Sequence, residues 1–264
     1  MYYNVFIFMT ICIAAIAKEN DKEYIIFTTD HMVTTNMGEF EHSILKYSKL
    51  NKNTIAMLAG QALLFDDLIK LDDNNIQYDQ MKLKIFDNFK KKRKEILENE
   101  VFNSYGINQE FVVDSLKKEV PNVFVNTILT KVVEFKLNTS ILLTGFRDSE
   151  AQITNIEESG IIDFRSMNFH AIGSGAIQAS NTLLFQKHSK TNPVLTTIYN
   201  VFKAKKNAEA GGGVGKETEL LVLTEDGIQN ISDDDLSILT NIYMEELQYG
   251  KNNDKLNQIK IEVG

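Results

Sequence analysis

The chain has 264 residues, 43% of them hydrophobic and 24% charged, enough apolar material for one sizeable core. Its formal net charge of -8 argues against a broad nucleic-acid surface. A single cysteine, Cys12, excludes an intrachain disulfide and a multi-cysteine zinc module, and the four histidines (31, 42, 170 and 188) show no HExxH-like ligand spacing, so no metal or other cofactor is expected.

Met1 to Ala17 is apolar and ends in Ala15-Ile16-Ala17, a small-x-small pattern that invites a signal-peptide reading. It lacks a positive leading region, is short for a membrane span, and a cut after Ala17 would delete a strand. The expectation is therefore a cytoplasmic chain with no membrane segment, in which residues 1–9 are a propeptide or precede a true start at Met9. Met9 to Ala17 and Tyr24 to Asp30 read as the two strands of a hairpin, with polar Glu19–Lys22 turning between them. Thr10 opens the first strand. A cut between Met9 and Thr10 would leave a hydroxyl and an α-amine of pKa about 8 on one residue, making it nucleophile and base at once. Cys12 is a competing nucleophile, because thiols ionise more easily than hydroxyls, but it would need its own cleavage after Ile11.

His31 to Gly38 is turn-prone, Glu41 to Leu50 reads as extended, and Thr54 to Gly60 as a buried strand. Taken by spacing alone, Lys46 is more simply a surface lysine on a strand edge. If it is buried it needs a partner, and Asp30 is the acid available. A helix is expected from Gln61 to about Leu71, with Leu63, Leu64, Leu68 and Ile69 on its apolar face. Asp72 to Asn75 interrupts it, and a second helix runs from Ile76 to Phe102 with Met81, Ile85 and Phe89 at spacing four. The basic run Lys90–Lys94 is balanced by Glu95, Glu98 and Glu100 and reads as a solvated helix face rather than a nucleic-acid site. Helices follow at Gln109–Lys118, capped by Asn108, and Val123–Phe135, with Pro121 as the break between them.

Strands resume at Thr139–Phe146 and Ala151–Ile156, then a Ser159-Gly160 turn and Phe169–Ile172 leading into Gly173-Ser174-Gly175. A helix covers Ala176–Phe185, and Pro193 opens another in which Val194, Ile198, Val201, Phe202 and Lys205 share a side. The loop Gly211-Gly212-Gly213-Val214-Gly215-Lys216 lacks the phosphate-binding GxxxxGK[ST] spacing and follows a helix, not a strand. Glu219–Thr224 is a strand closed by Asp226-Gly227. Ser232 with Asp235 caps a helix carrying Leu236, Leu239 and Tyr243. Residues 251–264 form a polar tail.

In order and spacing, Thr10, Asp30, Lys46, Ala59-Gly60 and Gly173-Ser174-Gly175 resemble the β-type proteasome subunits and their smaller prokaryotic relatives among the N-terminal nucleophile hydrolases, from Thr10 to about Asp226. The resemblance implies Thr10 as nucleophile, Asp30 and Lys46 as the charged pair beside it, Ser174 near its amine, and Gly60 in the oxyanion region. Glu209 stands near the place where the family carries an aspartate, and no serine accompanies it. Two departures are this missing serine and a helical insertion at about 72–136, inside a single domain of residues 10–250.

The fold class expected is α+β, a four-layer α-β-β-α sandwich of two antiparallel sheets. The function expected is a threonine peptidase or amidohydrolase acting on a peptide or protein through an acyl-enzyme, with assembly as a homo-oligomer, for which the resemblance implies a ring. The alternative is a catalytically inactive structural subunit of such an assembly.

Overall fold

The computed structural model describes residues 7–8, 10–35, 38–73, 76–118 and 123–249. The fold is mixed α and β with antiparallel sheets. A five-stranded sheet has the order β11-β2-β3-β12-β13, where β2 is Ile11–Glu19, β3 Lys22–Asp30, β11 Phe169–Gly173, β12 Thr218–Thr224 and β13 Gly227–Asn230. An eight-stranded sheet has the order β10-β9-β8-β7-β1-β4-β5, with β6 also paired to β7. Its strands are β1 (Ile7–Phe8), β4 (Met32–Thr35), β5 (Gly38–Glu41), β6 (Tyr47–Asn51), β7 (Thr54–Gln61), β8 (Ser140–Arg147), β9 (Glu150–Glu157) and β10 (Gly160–Asp163).

The apolar runs of the central strands are continuous because both faces are buried, and alternate residues enter different clusters. Ile11, Ile13, Ala15, Tyr24, Ile26, Leu220 and Val222 pack with α5 (Ala176–Phe185), α6 (Val194–Ala208) and α7 (Asp233–Tyr249). Their neighbours Cys12, Ala14, Ile16, Ile25, Phe27, Leu221 and Leu223 join Ile55, Met57, Leu142 and Ile153 of the other sheet. The remaining parity of that sheet, Ala56, Leu58, Ile141, Leu143 and Ile156, packs on α1 (Phe65–Leu68) and α2 (Tyr78–Leu97).

The first hairpin forms where the sequence places it. Glu19 pairs with Lys22, and Asn20 and Asp21 carry positive φ of 49° and 61°, the two-residue geometry that matches strand twist and that Asn and Asp tolerate. Asn108 caps α3 (Gln109–Lys117) through its side chain to Phe111 N at 2.9 Å, and α4 spans Val123–Glu134; Pro121 lies outside the described residues. Ser232 and Asp235 cap α7 as expected.

Three expectations are corrected. The helix proposed for Gln61–Leu71 is a 3-10 turn followed by the single turn α1, and Leu63 is exposed instead of facing the core. Gln61 offers no side-chain cap, and so short an uncapped segment has little to hold a longer helix. Ile76–Phe102 is regular only as α2, opened by a Gln77/Gln80 capping box, and continues as a π-helical turn over Glu98–Phe102. His31–Gly38, read as a turn, contributes β4 and the start of β5. Its β-branched Val33-Thr34-Thr35 finds partners in β1 and β5. The tail 251–264 and most of residues 1–9 lie outside the described residues. Among the described residues no helix is long and apolar enough to cross a membrane.

Candidate active site

Thr10 lies immediately before β2, fully buried. Pairing of Cys12 with Thr29 brings the end of β3 alongside, so that Asp30 faces the start of β2. Lys46 precedes β6, and its carbonyl accepts Leu58 N at 2.9 Å, which ties its backbone to β7. Asp30 and Lys46 are both fully buried. Lys46 Nζ donates to Thr10 Oγ1 and to Asp30 Oδ1, each at 2.7 Å. Thr10 Oγ1 in turn donates to Asp30 Oδ1.

Asp30 is held by more than these two partners. Ile11 N reaches Oδ1 at 3.2 Å, while Gly215 N at 2.6 Å and Met32 N at 3.4 Å donate to Oδ2. A buried carboxylate with this many donors stays oriented, and its charge is matched by the ammonium. Burial pulls the Lys46 ammonium below the ordinary lysine range, with Asp30 pushing back through its charge and its hydrogen bond.

Gly173 pairs with Ile11 and has φ of 101°; a Cβ there would overlap the Thr10 carbonyl oxygen, so only glycine lets β11 come this close. Ser174 follows, its Oγ donating to Thr10 O at 3.3 Å and to Gly213 O at 3.2 Å, and Gly175 N also reaches Thr10 O at 3.4 Å. Gly60, near the end of β7, has φ of 118° and pairs with Phe8 of β1.

Cys12 Sγ donates to the Leu58 carbonyl at 3.4 Å. Burial pushes its thiol far up, which opposes a thiolate. Glu209 is engaged elsewhere: its carboxylate accepts from Lys205 at 2.5 Å and Lys206 at 2.9 Å.

Thr10, Asp30, Lys46 and Ser174 thus converge, with Gly60 on the neighbouring sheet opposite the residues that precede Thr10. One contributor escapes the sequence reading. Gly215 is visible there only as one glycine of a loop, and nothing in its neighbours marks its N–H for Asp30. Among the described residues no group of three or more His, Cys, Asp and Glu side chains is placed to hold a metal ion. The chain matches no protein-family model, and no curated protein matches it.

Proposed function

We propose that the chain is a threonine peptidase of the N-terminal nucleophile type, built as a four-layer α-β-β-α sandwich. The observation that carries this reading is the buried triangle of Thr10 Oγ1, Lys46 Nζ and Asp30 Oδ1. The layer order is supported by the three clusters, one between the sheets and one on the outer face of each.

In the uncut chain Thr10 Oγ1 attacks the Met9 carbonyl carbon. The C–N bond breaks, the nitrogen takes the proton, and an ester joins Met9 to the Thr10 oxygen. Water then cleaves the ester, releasing the Met9 carboxylate and leaving Thr10 with a free amine and hydroxyl. In the processed enzyme that amine accepts the hydroxyl proton as Oγ1 attacks a peptide carbonyl, and it returns the proton to the leaving amine. Lys46 favours the developing negative charge on Oγ1, while Asp30 holds the ammonium there. The resemblance assigns the carbonyl oxygen of the intermediate to the Gly60 N–H.

An extended peptide is the substrate class favoured by the path of the residues before Thr10. Ile7–Phe8 runs as a strand paired to β4 on one side and β7 on the other. The family form also implies self-association into rings, for which light scattering at micromolar concentration gives the mass.

The deciding experiment combines intact mass with a peptide epoxyketone, whose ring closure needs the hydroxyl and the free amine of one residue. Loss of residues 1–9 and an adduct on Thr10 that vanishes in Thr10→Ala are expected. A processed, folded protein that takes no adduct and hydrolyses no member of a broad peptide library would overturn the reading. It would favour the inactive structural subunit, a second reading motivated by a loop, Gly211–Gly215, that offers no hydroxyl or acid beside Thr10.

A further inference from the structure

Lys205 is a second fully buried lysine, and the chemistry above does not use it. It sits in the last turn of α6, whose apolar side packs on β2, and its ammonium has three acceptors: Glu209 Oε1 at 2.5 Å, Gly215 O at 2.8 Å and Lys216 O at 2.9 Å. Burial lowers it to about 8, with Glu209 pushing back. The two carbonyls belong to the loop between α6 and β12. Of its residues Gly211–Gly215 four are glycine, so the segment has little intrinsic preference for one path.

Gly215 is the link between the two buried lysines. Its N–H donates to Asp30 Oδ2 at 2.6 Å while its C=O accepts from Lys205. On the other side of the loop, Lys216 N donates to the Glu41 carboxylate of β5. A loop of this composition keeps an N–H aimed at a buried carboxylate only if something else fixes its carbonyls: Ser174 Oγ holds that of Gly213, Lys206 reaches that of Lys216 at 3.5 Å, and Lys205 holds that of Gly215 itself together with that of Lys216.

We infer that Lys205 is a positioning residue for the Thr10 centre. Its ammonium clamps the Gly215 and Lys216 carbonyls, presses the Gly215 N–H onto Asp30, and so fixes the carboxylate that orients Thr10 Oγ1 and Lys46. This rests on the peptidase reading above. The simpler alternative is a lysine that closes the carboxyl end of α6 with Glu209, a role that affects stability and leaves the rate of chemistry alone.

The test uses the full chain as wild type, Lys205→Met, Gly215→Ala and the double variant. Gly215→Ala attacks the same link independently, because its Cβ would lie 2.7 Å from Glu41 Oε1 and 2.9 Å from Met32 N and would push the loop off Asp30. Two quantities are read: the maximal inactivation rate and half-saturation concentration for a peptide epoxyketone, and hydrogen exchange at the Gly215 amide. Each single variant is expected to lower the maximal rate at least tenfold with half-saturation within twofold, and the double variant to fall no further than the worse single. Gly215 exchange should rise at least tenfold in Lys205→Met while β2 and β3 stay protected. Lys205→Gln, which keeps a donor but loses reach and charge, replaces Lys205→Met if that variant does not fold, with a smaller loss expected in the same direction. A folded Lys205 variant with wild-type rate, or with wild-type exchange at Gly215, overturns the inference, as do losses that multiply in the double variant. A wild-type chain that takes no adduct instead removes the peptidase reading. The Gly215 exchange then still decides whether Lys205 holds the loop on Asp30, and unchanged exchange overturns that too.

Discussion

The five-stranded sheet and the helical block at 98–134 solve the burial problem differently. In the sheet region, alternate residues of β2, β3 and β12 are covered on both faces, and three charged groups, Asp30, Lys46 and Lys205, sit among them with no solvent access. The helical block has a small cluster of its own, Leu97, Val101, Phe102, Val112, Val125 and Ile128, and leaves Val123 81% and Val133 75% exposed. Buried ions are tolerated where the surrounding structure over-determines every position. A small satellite cluster gives helices less to hold them, and such regions open first.

Asp30→Ala should break the contrast most severely. It strips the charge partner from Lys46 and the acceptor from five donors, so a loss of about 3–5 kcal/mol in urea unfolding is expected, together with, by intact mass, loss of the Met9–Thr10 cleavage proposed above. Ile128→Ala, in the centre of the satellite cluster, should cost about 2–5 kcal/mol, but locally: exchange should quicken in α3 and α4 while β2 and β3 remain protected. Equal loosening of the sheet would show that the two regions unfold as one.

Lys205 gives a pH test of the buried-ion side. Its amine titrates near 8 in the folded protein against an ordinary value of 10.5, so the cost of burying the charge is present in full below pH 8. Between about 8 and 10.5 the folded protein releases its proton first. Wild type should then gain stability relative to Lys205→Met as pH rises, by up to about 1.4 kcal/mol per unit, with a plateau above. A difference that is flat across this window would contradict the depressed amine. The smallest effect belongs to the surface: Arg147→Ala removes the half-exposed pair with Asp79 and should change stability by about 1 kcal/mol or less in thermal unfolding.

Much of the sheet region is readable from sequence because its signals are local. Alternating burial leaves continuous apolar runs, and Asn20-Asp21 turns the chain where the two runs meet. The strand β4 is not readable in that way, since Val33-Thr34-Thr35 becomes a strand through β1 and β5, and a turn-like composition at Asn36 to Gly38 hides it. Leucine spacing over-extends the short α1, because it suggests a helix without saying whether it is capped. Within the site, Thr10, Asp30 and Lys46 are suggested by order along the chain, and their convergence depends on the β2–β3 register. Gly215 is invisible in sequence, because what it supplies is a backbone N–H.

The position of β1 has a consequence for how the eight-stranded sheet is held together. β1 is the strand that joins β7 to β4, through Gly60 and Gln61 on one side and Thr34 on the other, so detaching residues 1–9 would leave these two short stretches unpaired across the width of one strand, while β6 stays on the rest of β7. Unpaired edges ordinarily invite edge-to-edge association with other sheets. Here the opening is about 10 Å wide, two strand spacings, and a second sheet cannot reach into it. A single strand fits that width, and the backbone groups it would meet are those of Gly60 and Gln61 on one side and Thr34 on the other. The same geometry that would make the edges adhesive would also confine what they adhere to.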